Sequence, residues 1–376
     1  MLERRILTAD VVYNGLGLPR EKGAVAVQKA GDSEQVVGID SLEQLERTFP
    51  NAPVVNVGFA LTPPPVNAHT HLDLSAMPFS PGDYGAFIAK VIANSEAGRR
   101  GLAAAEKGVA KLRREGISVV GDIVAREEVM RFLLKSDLQG VAYWEVLGPD
   151  PDDAERIFNE TVEKLRAFKK LERPGGVRVG LSPHSPHTVS APLLQKLARL
   201  AQQNRLPLQI HVAESLPELA FHRDGSAFAD LQKLAGGWQP SGLTPVGYLD
   251  SLGVLAARPT LVHMVHVTEE DVRTVQRAGC AVIHCPRSNL MLNCGRFPWE
   301  LYAKHGVTVA LGTDSLGSSP TLSVRDEVAA AQEVHGDKAS AQALVWSAVK
   351  GGYRALGLKP PQVVRGDSFN EFHVWD

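Results

Sequence analysis

The segment Asn67-Ala68-His69-Thr70-His71-Leu72-Asp73 places two histidines one residue apart. In an extended strand alternate side chains share a face, so His69 and His71 project together, about 7 Å apart along the backbone. Imidazole nitrogens bind zinc or iron at about 2.1 Å, and a pair on one face is part of a chelate. With twelve histidines in 376 residues, chance supplies such a pair about 0.4 times, so the rest of the chain must provide further ligands. The candidates are His211, Glu214 three residues on, His263, His284 and Asp314, each at or just after a short apolar run. A lone strand-end histidine is more often a hydrogen-bonded core residue, and an Asp after Leu-Gly-Thr can simply cap a helix. Five or six such residues at successive strand ends are harder to assign to accident.

The elements that must carry these residues alternate from 61 to 360. Strands are expected at the His69 segment, Ile117–Asp122, Gly140–Val146, Val177–Leu181, Leu206–Val212, Thr260–Val267, Cys280–Cys285 and Val307–Leu311. Helices are expected between them, including Ala103–Glu115, Pro151–Leu171, and Ala191–Asn204 with Ser190 as its cap. Eight strands alternating with helices imply an α/β fold with a closed (β/α)₈ TIM barrel, whose active site lies at the C-terminal strand ends. A doubly wound open sheet is the alternative, but no Gly-x-Gly-x-x-Gly follows the first strand. Residues 1–60 read as short strands, interrupted by a short helical piece at 41–49. The strand-like tail after Gly366 needs a sheet to join. Residues 1–60 plus 361–376 are therefore expected to form a small accessory β domain beside a barrel at 61–360.

Forty basic and 42 acidic residues give a net charge of −2, which argues against nucleic acid or anionic membrane as a partner and leaves a small molecule. Cys280, Cys285 and Cys294 are read as buried reduced thiols. The start Met-Leu-Glu-Arg-Arg lacks a signal-peptide core, and no run of eighteen apolar residues suggests a membrane span. A cytoplasmic protein is expected, with a homodimer as the base-rate assembly.

The set Asn67-Ala68-His69-Thr70-His71-Leu72, His211-Val212-Ala213-Glu214-Ser215, Val262-His263-Met264-Val265-His266, Cys285-Pro286-Arg287-Ser288-Asn289-Leu290 and Leu311-Gly312-Thr313-Asp314-Ser315 resembles successive signatures of the amidohydrolase superfamily. The branch it is similar to contains adenosine, S-adenosylhomocysteine, guanine and triazine aminohydrolases. The resemblance runs from about 55 to 330 and implies an accessory β-sandwich from the flanking segments. It implies His69, His71, His211 and Asp314 as ligands of one divalent metal, zinc first, with Fe²⁺ or Mn²⁺ as alternatives. No carbamylated lysine is implied, because the fourth strand offers Glu145.

In such an enzyme the metal activates water to attack a ring carbon bearing an amino group. Asp314 and His263 take and orient the proton, and Glu214 protonates the adjacent ring nitrogen before ammonia leaves. His184, in Ser182-Pro183-His184-Ser185-Pro186-His187, matches the sugar-contacting histidine of nucleoside deaminases. Glu145 and Ser288 join it as substrate-binding residues, Asn289, Ser318 and Ser319 shape the pocket, and His284 stands behind the ligands. Glu145 argues against S-adenosylhomocysteine, whose deaminases tend to carry a basic residue there. Within the branch the likeness is greatest to deaminases of the alternative menaquinone route, whose 6-aminopurine nucleoside carries a 3-carboxyphenyl ketone. Arg287 and Arg325 are the candidates to meet that carboxylate. The competing readings are another aminohydrolase of the same branch and a non-catalytic binding barrel. The latter predicts missing ligands, whereas all four are present.

Overall fold

Alternating apolar residues near the N-terminus form β1 (Arg4–Val12), β2 (Arg20–Glu21), β3 (Gly23–Ala30), β4 (Ser33–Ser41) and β5 (Val54–Thr62), which share one sheet with β14 (His373–Trp375) at the far end of the chain. Its order is β14-β5-β1-β3-β4, with β2 beside β1 and only the β1–β5 pair parallel. Successive residues face opposite sides. Leu7, Val25, Val27 and Leu61 pack with Val363 and Phe372, while Ile6, Ala24 and Ala26 lie with Leu45 of the helix Leu42–Thr48, capped by Ser41. The tail is fixed by β14 pairing with β5 and by Trp375 Nε1 donating to Thr62 Oγ1 at 2.9 Å. In this computed structural model, residues 3–226 and 238–376 are described. The chain divides into two units, Met1–Pro65 with Lys359–Asp376, and Val66–Leu358.

The larger unit carries β6 (Val66–Thr70), β7 (Val119–Val124), β8 (Gln139–Val146), β9 (Val177–Pro183), β10 (Gln209–Val212), β11 (Thr260–His263), β12 (Val282–His284) and β13 (Val309–Leu311). They form two four-stranded sheets, β6-β7-β8-β9 and β10-β11-β12-β13, with every neighbouring pair parallel. Single parallel bridges, Leu181 to Leu208 and Thr70 to Asp314, link the outer strands of one sheet to those of the other. The uninterrupted burial of Val119–Val124 fits a parallel sheet covered on both faces.

Several strands are shorter than their apolar runs. β11 stops at His263, because His263 and Met264 adopt left-handed backbone conformations, φ 71° and 47°, that end the ladder. β12 ends before Cys285, which already precedes the helix Pro286–Met291. Ser190 sits at the cap position of Ala191–Asn204, yet its buried hydroxyl makes no capping bond. A helix at Tyr84–Glu96, capped by Asp83, adds to the expected elements; Tyr84, Phe87, Ile88, Val91 and Ile92 fall at the i, i+3, i+4, i+7, i+8 spacing of one helical face.

Gly140 is forced by close approach. Its φ is +123°, and an added Cβ would stand 1.9 Å from the Val120 carbonyl oxygen, where β7 and β8 pair. Gly140→Ala should destabilise the protein by roughly 3 kcal/mol or more, read as a lowered denaturation midpoint. A loss below about 1 kcal/mol would contradict this packing.

Candidate active site

Five predicted residues meet at the C-terminal ends of β6, β10, β11 and β13. His69 lies on β6 and His71 just past it, their rings edge to face at 5.0 Å. His69 Nε2 and His71 Nε2 each stand 3.5 Å from Asp314 Oδ1, and His71 Nε2 is 3.3 Å from His211 Nε2. Four ligands at about 2.1 Å in a tetrahedron stand about 3.4 Å apart, so these donors are spaced for one cation. His263 joins His69 and His211 in an overlapping cluster.

The outer nitrogens determine how the rings present themselves. His69 Nδ1 bonds the Gln209 amide oxygen at 2.6 Å, His211 Nδ1 the His184 carbonyl at 2.9 Å, and His263 Nδ1 Asn289 Oδ1 at 3.0 Å. Each acceptor holds a proton on Nδ1 and leaves the Nε2 lone pair pointing inward. His69 Nε2 is buried without a hydrogen-bond partner, as a ligand atom awaiting a cation would be. Burial pushes His71 down to about 3 and His263 to about 4, each partly opposed by Asp314; it also holds His211 well below its ordinary value, aided by the neighbouring imidazoles. Burial alone would raise Asp314, but the close approach of His69 Nε2, 3.5 Å from Oδ1, and the electrostatic pull of His71 and His263 hold it well below the usual carboxylate range. The directions at His71, His211, His263 and Asp314 all favour the deprotonated forms that a divalent cation requires.

Three of these strand ends leave through unusual backbone. Ala213, His263, Met264 and Asp314 all have positive φ, between 47° and 71°, at roughly 1–3 kcal/mol each for non-glycine residues. Ser288 and Ser318 donate to Asp314 Oδ2 at 2.7 and 2.8 Å, turning Oδ1 toward the histidines. His284 lies farther out, against Asn289, His335 and the Phe297 ring. Ser319 bonds Glu327 and the Thr321 carbonyl rather than Asp314.

Glu214 is buried with Oε1 3.5 Å from His263 Nε2. Burial, then the charges of Asp314 and Glu218, push its carboxyl well above the usual range against a Tyr84 hydrogen bond. Burial therefore favours the protonated form of Glu214. Its loop is clamped by Glu218, which accepts from Ala213 N at 2.9 Å and Glu214 N at 2.8 Å. The spacing Ser215-x-x-Glu218 is a capping signature visible in the sequence; its glutamate reaches past the cap to the catalytic loop.

The chamber is lined by His184, Glu145, Tyr84, Phe87, Ile88 and Val91 as well as His71, His211, His263 and Asp314. Arg100 was missed by sequence reasoning, since nothing about Arg99-Arg100-Gly101 marks it. Its Nε donates to Asp73 at 2.8 Å and its Nη2 to Glu145 at 3.0 Å. Three expectations need correction. Glu145 lies on β8, the third of the eight parallel strands, while the fourth, β9, also lacks lysine. Arg287 is committed to Glu327, Asp326 and Thr321, because a buried guanidinium demands full pairing. Arg325 is exposed on the helix Val324–His335, and neither arginine lines the chamber.

Known proteins share this architecture. The chain is 45% identical to an aminodeoxyfutalosine deaminase of Deinococcus radiodurans, across 99% of this chain and 90% of that one. Its fold matches the structure of Helicobacter pylori aminofutalosine deaminase in complex with methylthio-coformycin, with TM-score 0.75, 21% identity, and coverage of 97% and 90% of the two chains. It also matches an adenosine deaminase of Xanthomonas campestris with bound zinc, with TM-score 0.70, 24% identity, and coverage of 96% and 82%. The model of the amidohydrolase family matches residues 60–360, and the chain belongs to that family.

Proposed function

We propose that this protein is a metal-dependent hydrolytic deaminase that removes the 6-amino group of aminodeoxyfutalosine as ammonia. The observation that carries this is the 45% identity, over nearly the whole of both chains, to a protein named for that activity. We read the two four-stranded sheets as one closed (β/α)₈ barrel, supported by the parallel bridges at both seams. The sheet of the terminal segments is read as a folded-over sandwich, supported by the bridge from Gln35 on edge strand β4 to Ser368, just before the opposite edge strand β14. No helix among the described residues is long and apolar enough to cross a membrane, and the three cysteines are buried and free, which suits a reducing cytoplasm.

In this reading His69, His71, His211 and Asp314 hold one divalent cation, with zinc the best match to three nitrogens and a carboxylate. When bound, that cation lowers the pKa of water and makes it nucleophilic near neutral pH. Asp314, steadied by Ser288 and Ser318, orients the attacking water. His263, whose Nε2 lone pair faces inward beside Glu214, accepts its proton. Glu214, whose burial favours its protonated form, gives a proton to the ring nitrogen next to the reacting carbon, so charge does not accumulate in the purine. Tyr84 steadies that carboxyl, and His184 with Glu145 receives the ribose.

A panel of aminodeoxyfutalosine, adenosine, methylthioadenosine, S-adenosylhomocysteine and guanine, followed by ammonia release, tests the substrate. Aminodeoxyfutalosine should lead in kcat/KM by about tenfold or more; turnover of guanine alone would sink the nucleoside reading. Glu214→Gln should retain the metal, measured by elemental analysis, while kcat falls about 10²–10⁴-fold. A near-native rate would remove Glu214 from proton delivery. Glu145→Gln keeps the shape but weakens acceptance of sugar hydroxyls, and KM should rise about tenfold with kcat nearly unchanged.

A further inference from the structure

A second cavity lies at the opposite ends of the strands from the histidines. It is lined where β9 to β13 begin, by Arg178, Leu208, Thr260, Ala281 and Thr308 among others, and measures about 870 Å³. That size lies within the range of ligand sites. Catalysis in this fold uses the other end of the strands, so no residue here belongs to the deaminating machinery.

Its charge is one-sided. Arg178, Arg205, Arg258 and Arg354 all line it, and among the described residues no aspartate or glutamate does. Arg178 Nη2 donates to the carbonyls of Leu356 and Gly357, at 2.5 and 3.4 Å, and its buried Nε has no partner. Those carbonyls orient the guanidinium without neutralising it. Asp250 lies near enough to act on the Cys280 thiol but does not line the cavity. The protein as a whole has a net charge of −2, so this basic bowl is a local feature, and a concave surface of one sign concentrates counter-ions.

Two of the arginines stand where the backbone favours another residue. Arg205 closes the helix Ala191–Asn204 and Arg258 closes the short 3₁₀ turn Val254–Ala257, both left-handed, with φ 52° and 53°. Glycine or asparagine usually occupies such positions. Among the described residues, eight non-glycine residues have positive φ. Four of them shape the catalytic strand ends, and these two line the basic cavity. Each precedes a proline, Pro207 or Pro259, at the entry to the next strand.

We propose that this cavity binds a small multivalent phosphate anion, of the pyrophosphate or nucleoside polyphosphate class, independently of deamination. Guanidinium forks match phosphate oxygens two at a time. Thr308 and Gln276, also in the lining, add uncharged donors. Several guanidiniums around one cavity favour an anion of several charges over orthophosphate or a single carboxylate.

The test is calorimetric titration of the metal-loaded full chain with pyrophosphate, ADP and orthophosphate. Pyrophosphate or ADP should bind one per chain, at least about tenfold tighter than orthophosphate, and weaken as salt rises. ADP without pyrophosphate, or the reverse, distinguishes a nucleotide from a free phosphate source. The Arg205→Gly, Arg258→Gly double variant removes two charges while placing glycine in a backbone it prefers. It should melt no lower than the native protein and deaminate at the native rate, yet bind at least about tenfold more weakly. The proposal is overturned if neither probe binds saturably at millimolar concentration, or if the double variant binds as tightly as the native protein.

Discussion

The Asp314 carboxylate joins the two halves of the catalytic unit, electrostatically and through its backbone. Asp314 N donates to the His69 carbonyl at 3.0 Å, and the residue bridges Thr70 across the seam between the sheets. One carboxylate oxygen is occupied by Ser288 and Ser318, and the other faces His69 and His71. Loss of the serine bonds would free the carboxylate to rotate; loss of the left-handed backbone would aim it elsewhere. A buried carboxylate this close to three imidazoles is tolerable because Ser288 and Ser318 satisfy one oxygen, and a divalent cation would complete the pairing of the other.

Two buried carboxyls a short distance apart are thereby driven in opposite directions. Asp314 is held ionised by donors that its burial does not outweigh, whereas Glu214 has few donors and two anionic neighbours, Asp314 and Glu218. Such a separation is what the proposed roles need, with Asp314 stabilising charge and Glu214 donating a proton. Glu218 gives the assignment its geometry, because both of its oxygens accept backbone amides of the loop that carries Glu214. The strain at Ala213 and the clamp at Glu218 are two aspects of one turn.

Residues whose chemistry is tied to a strand end were legible from sequence. His211 and His263 follow apolar runs of the right length, and the type of residue at each end is informative by itself. The left-handed turns were not legible, since nothing in Val262-His263-Met264 departs from strand-like composition; tertiary demands override propensity there. Glu218 offered a readable cap but not its longer reach. Arg100 and Asp73 offered nothing, because a buried ion pair between a strand end and a loop 27 residues later leaves no periodic trace. Arg287 misled for a related reason: sequence shows a charge near the site but not the carboxylates already holding it.

The Arg100 network also constrains how a substrate's charge is met. Among the described residues lining the chamber, Arg100 is the only permanently charged cation, and Asp73 and Glu145 already pair with it. Two carboxyls share that one arginine: burial pushes Asp73 up, while Arg100 holds Glu145 ionised despite its burial. Such a floor accepts hydrogen bonds from hydroxyls and repels an approaching carboxylate. The hydroxyls of a sugar therefore suit the Arg100–Glu145 side of the chamber better than a free carboxylate does.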